Sequence, residues 1–172
     1  MSIVTKTGDG GKTSLYCGKR VKKDDMRVEI CGALDEASSC LGMAKNATED
    51  KRTKRIVHAI QKELSLLCTE VATTAAGSYK IKKRIGKDSI CALEREIESL
   101  EGRRATRLRS FCIPGKGTAS SALDMARAIT RRAERRSVTL INRGALGNPS
   151  ILIYLNRLSD LLYLLARSNE KK

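Results

Sequence analysis

One stretch near the C-terminus limits the fold more than any other. The run Ile151-Leu152-Ile153-Tyr154-Leu155-Asn156-Arg157-Leu158-Ser159-Asp160-Leu161-Leu162-Tyr163-Leu164-Leu165 is apolar nearly all round a helical wheel. A helix of that kind has no face to give to water. It must be buried in its own bundle or against another subunit. It opens with Asn148-Pro149, a capping residue followed by proline at the first helical position. No apolar run in the chain approaches the roughly 20 residues of a membrane span. With one Phe and no Trp, the core around this helix has to be aliphatic.

The rest of the pattern supplies helices to surround it. Residues 1–23 are rich in Gly, Lys and Thr, lack periodicity and read as a loop. From about Asp25 to Lys45, Val28, Leu34, Ala37, Leu41 and Ala44 recur at helical spacing. A second helix is predicted from about Asp50 to Ala76, with Ile56, Ile60, Leu64, Leu67 and Val71 on one stripe. A third covers about Asp88 to Leu100. Residues 102–117 form a basic loop containing Pro114, Gly115 and Gly117. The fourth helix runs from about Thr118 to Asn142, and the fifth ends near Ser168. Strand alternation is absent. The expectation is an all-α fold, a five-helix bundle preceded by an ordered N-terminal phosphate-binding loop, in a single domain over 1–172.

The formal charge of +15 favours polyanionic partners: nucleic acid, phosphorylated metabolites or an anionic surface. Nucleic acid is disfavoured, since single strands are held by stacking aromatics and this chain is poor in them. Steep weakening by salt would expose phosphate-backbone binding. Much of the charge, including Lys80, Lys82, Lys83, Arg84 and Lys87, reads as solvated surface. Six scattered cysteines without a CxxC pair, and the single His58, argue against a zinc site and against a disulfide framework. The start, MSIVTKTGDG, lacks a signal-peptide hydrophobic stretch, so a reduced, cytoplasmic protein is expected.

Three segments carry chemistry. Thr5-Lys6-Thr7-Gly8-Asp9-Gly10-Gly11-Lys12-Thr13-Ser14 combines glycines that let backbone approach a ligand with hydroxyls and lysines suited to phosphate oxygens. It is not a Walker loop, because the required first glycine is Lys6. A flexible basic terminus is the competing reading. On the fourth helix Arg127, Arg131 and Arg135 stand four apart on one face, with Asp124 and Glu134 in the same stripe and Arg132 and Arg136 beside it. Like charges at that spacing repel, so the row gains nothing in an isolated helix. Arginine forks grip phosphate in two bonds; a solvated face laced with acids is the alternative. On the fifth helix Asn156, Asp160 and Tyr163 form a polar stripe, either an internal hydrogen-bond seam or, at Asn156, a ligand contact.

Taken in order, TKTGDGGKTSLY, KRVKKDD, GALDEASSCLG, IPGKGTASSALDMARAITRRAERR and NPSILIYLNRLSDLLYLLAR resemble the ATP:cob(I)alamin adenosyltransferase family, of the propanediol-utilisation and mitochondrial type. The resemblance runs from near residue 3 to residue 167. It implies a five-helix bundle assembled as a homotrimer, with active sites between subunits. It implies that the 5′-deoxyadenosyl group of ATP moves to the cobalt of cob(I)alamin, releasing triphosphate, with Mg²⁺ as cofactor and a cobalamin reductase as partner. Thr5, Lys6, Thr7 and Gly8 would wrap the triphosphate, with Thr13, Ser14 and Lys23 adding contacts. Arg131, Arg132, Glu134 and Arg135 would hold ATP from the fourth helix and Asn156 from the fifth. Asp35 resembles the family aspartate that pairs with Arg135 across the subunit boundary. Phe111 matches the family Phe that packs near the corrin. No residue is assigned to the metal.

The chain departs from the family pattern in places. Lys116 is inserted in the Pro-Gly-Gly turn, Asp124 stands where His is common, and Cys17 and Cys31 replace other residues. The segment 77–110 is shortened. A trimer that binds ATP without turnover is the alternative these departures leave open. The implied chemistry needs no protein base, since Co(I) is itself the nucleophile. That suits a chain with one His and no triad-like cluster. Positioning and charge stabilisation remain for the protein to supply.

Overall fold

The computed structural model describes residues 4–102 and 112–170. A short antiparallel hairpin, β1 (Lys12–Ser14) and β2 (Arg20–Lys22), leads into α1 (Met26–Ala47) and α2 (Lys51–Val71). A 3-10 turn (Ala75–Lys80) precedes α3 (Lys87–Glu101), followed by α4 (Thr118–Asn142) and α5 (Ser150–Ser168). The fold is the expected helical bundle.

Helix starts follow local chemistry. Asp25 caps α1 through Oδ1, which accepts from the Arg27 amide at 2.9 Å. Asp50 caps α2 by accepting from the amides of Arg52 and Thr53, both at 3.1 Å. Asn148 Oδ1 accepts from the Ser150 amide at 3.1 Å and starts α5 beside Pro149, as its sequence signature predicts.

Two boundaries differ from expectation. Residues 1–23 are not all loop: Lys12↔Lys22, Thr13↔Val21 and Ser14↔Arg20 pair as strands. Three-residue strands are too short to show alternation. Helix α2 stops at Val71 rather than Ala76. Buried Arg27 donates to the carbonyls of Val71 and Thr73, and its other Nη to that of Ala145. The Tyr16 amide takes the Ala72 carbonyl at 3.0 Å. With its last carbonyls satisfied from outside, the helix has no reason to continue.

Packing runs α3–α5–α4–α1–α2, and Arg52 Nη2 to Glu96 at 2.6 Å joins α2 to α3. Helices α1 and α4 meet on a seam of small side chains, Ala33, Ala37 and Ala44 against Ala122, Ala126 and Ala133. In α5, Ile151, Tyr154, Leu155, Leu158, Leu161, Leu162 and Leu165 are fully buried within the chain. Helices α3 and α4 cover most of the apolar wrap of α5, while Ile153 stays exposed. The core is one cluster contributed by all five helices.

Candidate active site

The glycine-rich loop is a tethered structure. Lys6 lies at φ 56°, the left-handed region where an L side chain costs about 1–2 kcal/mol. Its carbonyl accepts from the Asp9 amide at 3.3 Å, closing a turn. Arg20 reaches back across the hairpin, donating from Nη2 to the Thr7 carbonyl at 2.7 Å and to the Lys12 carbonyl at 3.3 Å. Gly8 sits under the Lys23 ammonium; a Cβ there would lie 3.3 Å from Nζ. The hydroxyls of Thr5 and Thr7 are 3.0 Å apart. Thr5, Lys6 and Thr7 are exposed, Gly8 half-buried, and Thr13, Ser14 and Lys23 sit on or beside the hairpin. The sequence-predicted phosphate residues are thus brought together as one exposed, cationic surface.

The base of the loop is fixed to the bundle. Cys17 packs on Gly77, where a Cβ would come within 2.4 Å of the Cys17 Cβ, so this contact requires glycine. Hydrogen bonds from the Thr74 backbone and hydroxyl hold the Cys17 thiol down to about 7. Arg27 knits the same end of the bundle. The buried carboxylate of Glu70 does likewise, accepting from Arg84 Nη1 at 3.2 Å, the Ile85 amide at 3.1 Å and Asn148 Nδ2 at 2.9 Å. Arg20, Arg27 and Glu70 escaped the sequence reading, as nothing local marks a single charged residue as a clamp on backbone groups or distant side chains.

Helix α4 carries two rows of arginine. Arg132 pairs with Glu36, and Arg136 Nη1 lies 2.8 Å from Glu29 Oε2, so this row closes onto α1. Arg127 Nε lies 3.5 Å from buried Asp124. Arg131 and Arg135 are exposed, and among the described residues neither has an ion-pair partner. Between them Glu134 Oε1 accepts from Asn156 Nδ2 at 3.2 Å, bridging α4 to α5. Arg131, Glu134, Arg135 and Asn156 therefore share one surface, while Arg132 is turned toward α1.

Asp35 is exposed and faces another direction. With Tyr16, Ser38, Gln61 and Cys68 it lines a cavity of about 300 Å³ between α1 and α2. Arg132 and Arg136 occupy the α1–α4 seam, which stands between Asp35 and the Arg131–Arg135 row. Within one chain Asp35 and Arg135 do not pair. No hydrogen bond or ion pair among the described residues joins the glycine-rich loop to Arg131, Arg135 or Asn156. Phe111 lies outside the described residues.

Just after it, a polar chain holds the segment ahead of α4. Buried Asp124 pairs with Arg167, whose Nε is 2.9 Å from Glu170. Glu170 also receives Lys116 Nζ at 3.1 Å and the Cys112 thiol at 3.4 Å. Partial burial pushes the Glu170 carboxyl up, but Lys116, Cys112 and Arg167 outweigh it and hold it below its ordinary range. Arg167 lies 4.9 Å from the centre of the Tyr163 ring, over its face.

A helical bundle with a hairpin-tethered glycine-rich loop and an arginine row free of carboxylates among the described residues defines an all-α protein with a cationic surface. The chain belongs to the cobalamin adenosyltransferase family, whose model matches residues 3–169. It is 40% identical over 168 residues to a corrinoid adenosyltransferase of Citrobacter freundii, covering 98% of this chain and 94% of that one. It is 39% identical to the PduO corrinoid adenosyltransferase of Salmonella typhimurium, where it spans half of the relative's length. Its fold matches a PduO-type ATP:corrinoid adenosyltransferase from Lactobacillus reuteri, a phenylalanine-to-alanine variant complexed with cobalamin and ATP. The TM-score is 0.86 at 32% identity, over 96% of this chain and 92% of that one. An arginine-to-lysine variant of the Lactobacillus reuteri protein, complexed with ATP, matches at a TM-score of 0.83 and 34% identity, over 96% and 93%.

Proposed function

We propose that this chain transfers the 5′-deoxyadenosyl group of ATP to the cobalt of a cob(I)alamin-type corrinoid, releasing triphosphate. The carrying observation is the Arg131–Arg135 row, left without internal partners beside the Glu134–Asn156 bridge in a member of this family. Thr5, Lys6, Thr7 and Gly8, with Thr13, Ser14 and Lys23, take the triphosphate. Arg131 and Arg135 stabilise the charge that gathers on it as the C5′–O bond breaks. Arg132, held by Glu36, stands at the edge of this set. Asn156, oriented by Glu134, contacts ATP from α5. Cobalt supplies the electron pair, so the protein's task is alignment of C5′ with the metal.

Two half-sites that do not meet within one chain support a homotrimer with shared active sites. There the loop of one subunit completes the arginine row of the next, and Asp35 meets Arg135. Mg²⁺ enters with the triphosphate, whose oxygens suit its demand for hard ligands. Phe111 covers the corrin's lower face. A cobalamin reductase as electron donor, and a cytoplasmic location, complete the proposal; no helix among the described residues is long and apolar enough to cross a membrane.

The test supplies ATP and chemically reduced cobalamin to the purified protein and follows decay of the cob(I)alamin spectrum. Protein-dependent decay with stoichiometric triphosphate is expected. Persistence of cob(I)alamin would overturn the reading and favour an ATP-binding trimer without turnover. For Phe111→Ala, ATP binding should persist while the four-coordinate cob(II)alamin resonance weakens. A full-strength signal would reduce Phe111 to packing.

A further inference from the structure

Two thiols meet where α1 crosses α2. Cys31 Sγ lies 3.6 Å from the Cys68 carbonyl oxygen, which sets the two cysteines side by side at the crossing. Both residues are only partly buried. Cys68 also lines the cavity of about 300 Å³ with Tyr16, Asp35, Gln61 and Ser65. Three of the other four cysteines are placed differently: Cys17 bonds to Thr74, Cys112 to Glu170, and Cys40 is buried.

The two sulfurs are chemically unequal. The hydrogen bond from Cys31 holds the Cys68 thiol below its ordinary value, against burial and the nearby Asp35 carboxylate. The same bond, then burial, pushes Cys31 well above its own. Cys31, whose thiol already donates to the Cys68 carbonyl, is the proton-bearing neighbour, and Cys68, on the cavity wall, is the sulfur placed to attack first. A thiolate-leaning, reachable cysteine beside a resolving thiol is the arrangement that peroxide oxidises selectively.

We propose that Cys68 and Cys31 form a peroxide-reactive dithiol that closes to a disulfide across the α1–α2 crossing. The Cys68 thiolate attacks one peroxide oxygen. The O–O bond breaks, Cys68 becomes the sulfenic acid, and the departing hydroxide takes a proton to leave as water. Cys31 then gives up its proton and attacks the Cys68 sulfur. The S–O bond breaks and a second water leaves. Two thiols and one hydrogen peroxide yield one disulfide and two waters. The bond lies one helical turn from Asp35. In a reducing compartment it would be transient.

The test uses the full-length protein in its native assembly, in a Cys17→Ser background, because the Cys17 thiol near 7 would react separately. The reduced protein is exposed to a few equivalents of hydrogen peroxide, quenched with catalase and digested without reductant for mass spectrometry. The expected result is a cross-linked peptide pair containing Cys31 and Cys68, formed before Cys40, Cys91 or Cys112 is oxidised. Adding Cys31→Ser should strand the intermediate, so that dimedone labels Cys68. Adding Cys68→Ser should leave Cys31 reduced. Unchanged circular dichroism would certify that each variant folds. Oxidation of other cysteines while Cys31 and Cys68 remain thiols would overturn the proposal. So would absence of dimedone on Cys68 in the folded Cys31→Ser variant.

Discussion

Arg131 and Arg132 are neighbours in sequence with the same side chain, yet the structure gives them different circumstances. Arg132 and Arg136 look across the alanine seam to Glu36 and Glu29 of α1. Arg131 and Arg135, about 100° back around the helix, meet no carboxylate among the described residues. Identity does not decide the role of an arginine on this helix; the partner helix does. One row fastens α4 to α1, and the other stays available for a ligand's negative charge.

The sharpest break concerns the free row and its proposed partner across subunits. Asp35→Asn should reduce activity by the equivalent of about 3–5 kcal/mol, as for a buried pair losing one member, with helix content retained. Arg135→Ala on top of it should add little, because coupled residues are non-additive. Free-energy losses of the two single variants that simply add in the double variant would refute the pairing. Next in size, Arg131→Ala should weaken ATP by about 1.5–3 kcal/mol, roughly ten- to hundred-fold, read by calorimetry.

The tethered row should respond much less. Arg136→Ala and Arg132→Ala remove part-exposed pairs and should each lower unfolding stability by under about 1 kcal/mol in denaturant titrations. Arg132→Ala should also weaken ATP less than Arg131→Ala does. If Arg132→Ala proved the more damaging for ATP, the division of α4 into two rows would fail.

The smallest effect concerns Glu170, which lies on neither row. Its carboxyl is held low when folded, so its contribution is complete above the ordinary carboxylate value of about 4.3. That contribution disappears as pH falls through the lower folded value. The melting-temperature difference between the parent protein and Glu170→Gln should therefore shrink below about pH 4. A difference that persists undiminished into acid would show that Glu170 acts as packing alone.

Helix identity was legible because apolar spacing and caps such as Asp25, Asp50 and Asn148 are local signals. The end of α2 was not, since Arg27 and Tyr16 take its carbonyls from distant positions. The site was half legible. The glycine-rich loop and the arginine cluster stand out in the sequence as cationic, but four arginines within six residues cannot be sorted without knowing which way α1 lies. Arg20, Arg27 and Glu70 were invisible because their partners are backbone groups or residues far along the chain. The apolar wrap of α5 was legible as burial, and α3 and α4 cover most of it, leaving Ile153 exposed.

The polar chain behind the loop has a consequence for inheritance. The sequence resemblance sets Lys116 and Asp124 apart from the family pattern, and each looks like an isolated change. The structure joins them end to end through Glu170 and Arg167. A lineage that acquired the inserted lysine would leave Glu170 answering to two cations, with Asp124 balancing the second. These four positions should therefore have changed as a linked set. Transplanting Lys116 alone into a relative would carry over a residue without the setting that gives it a role.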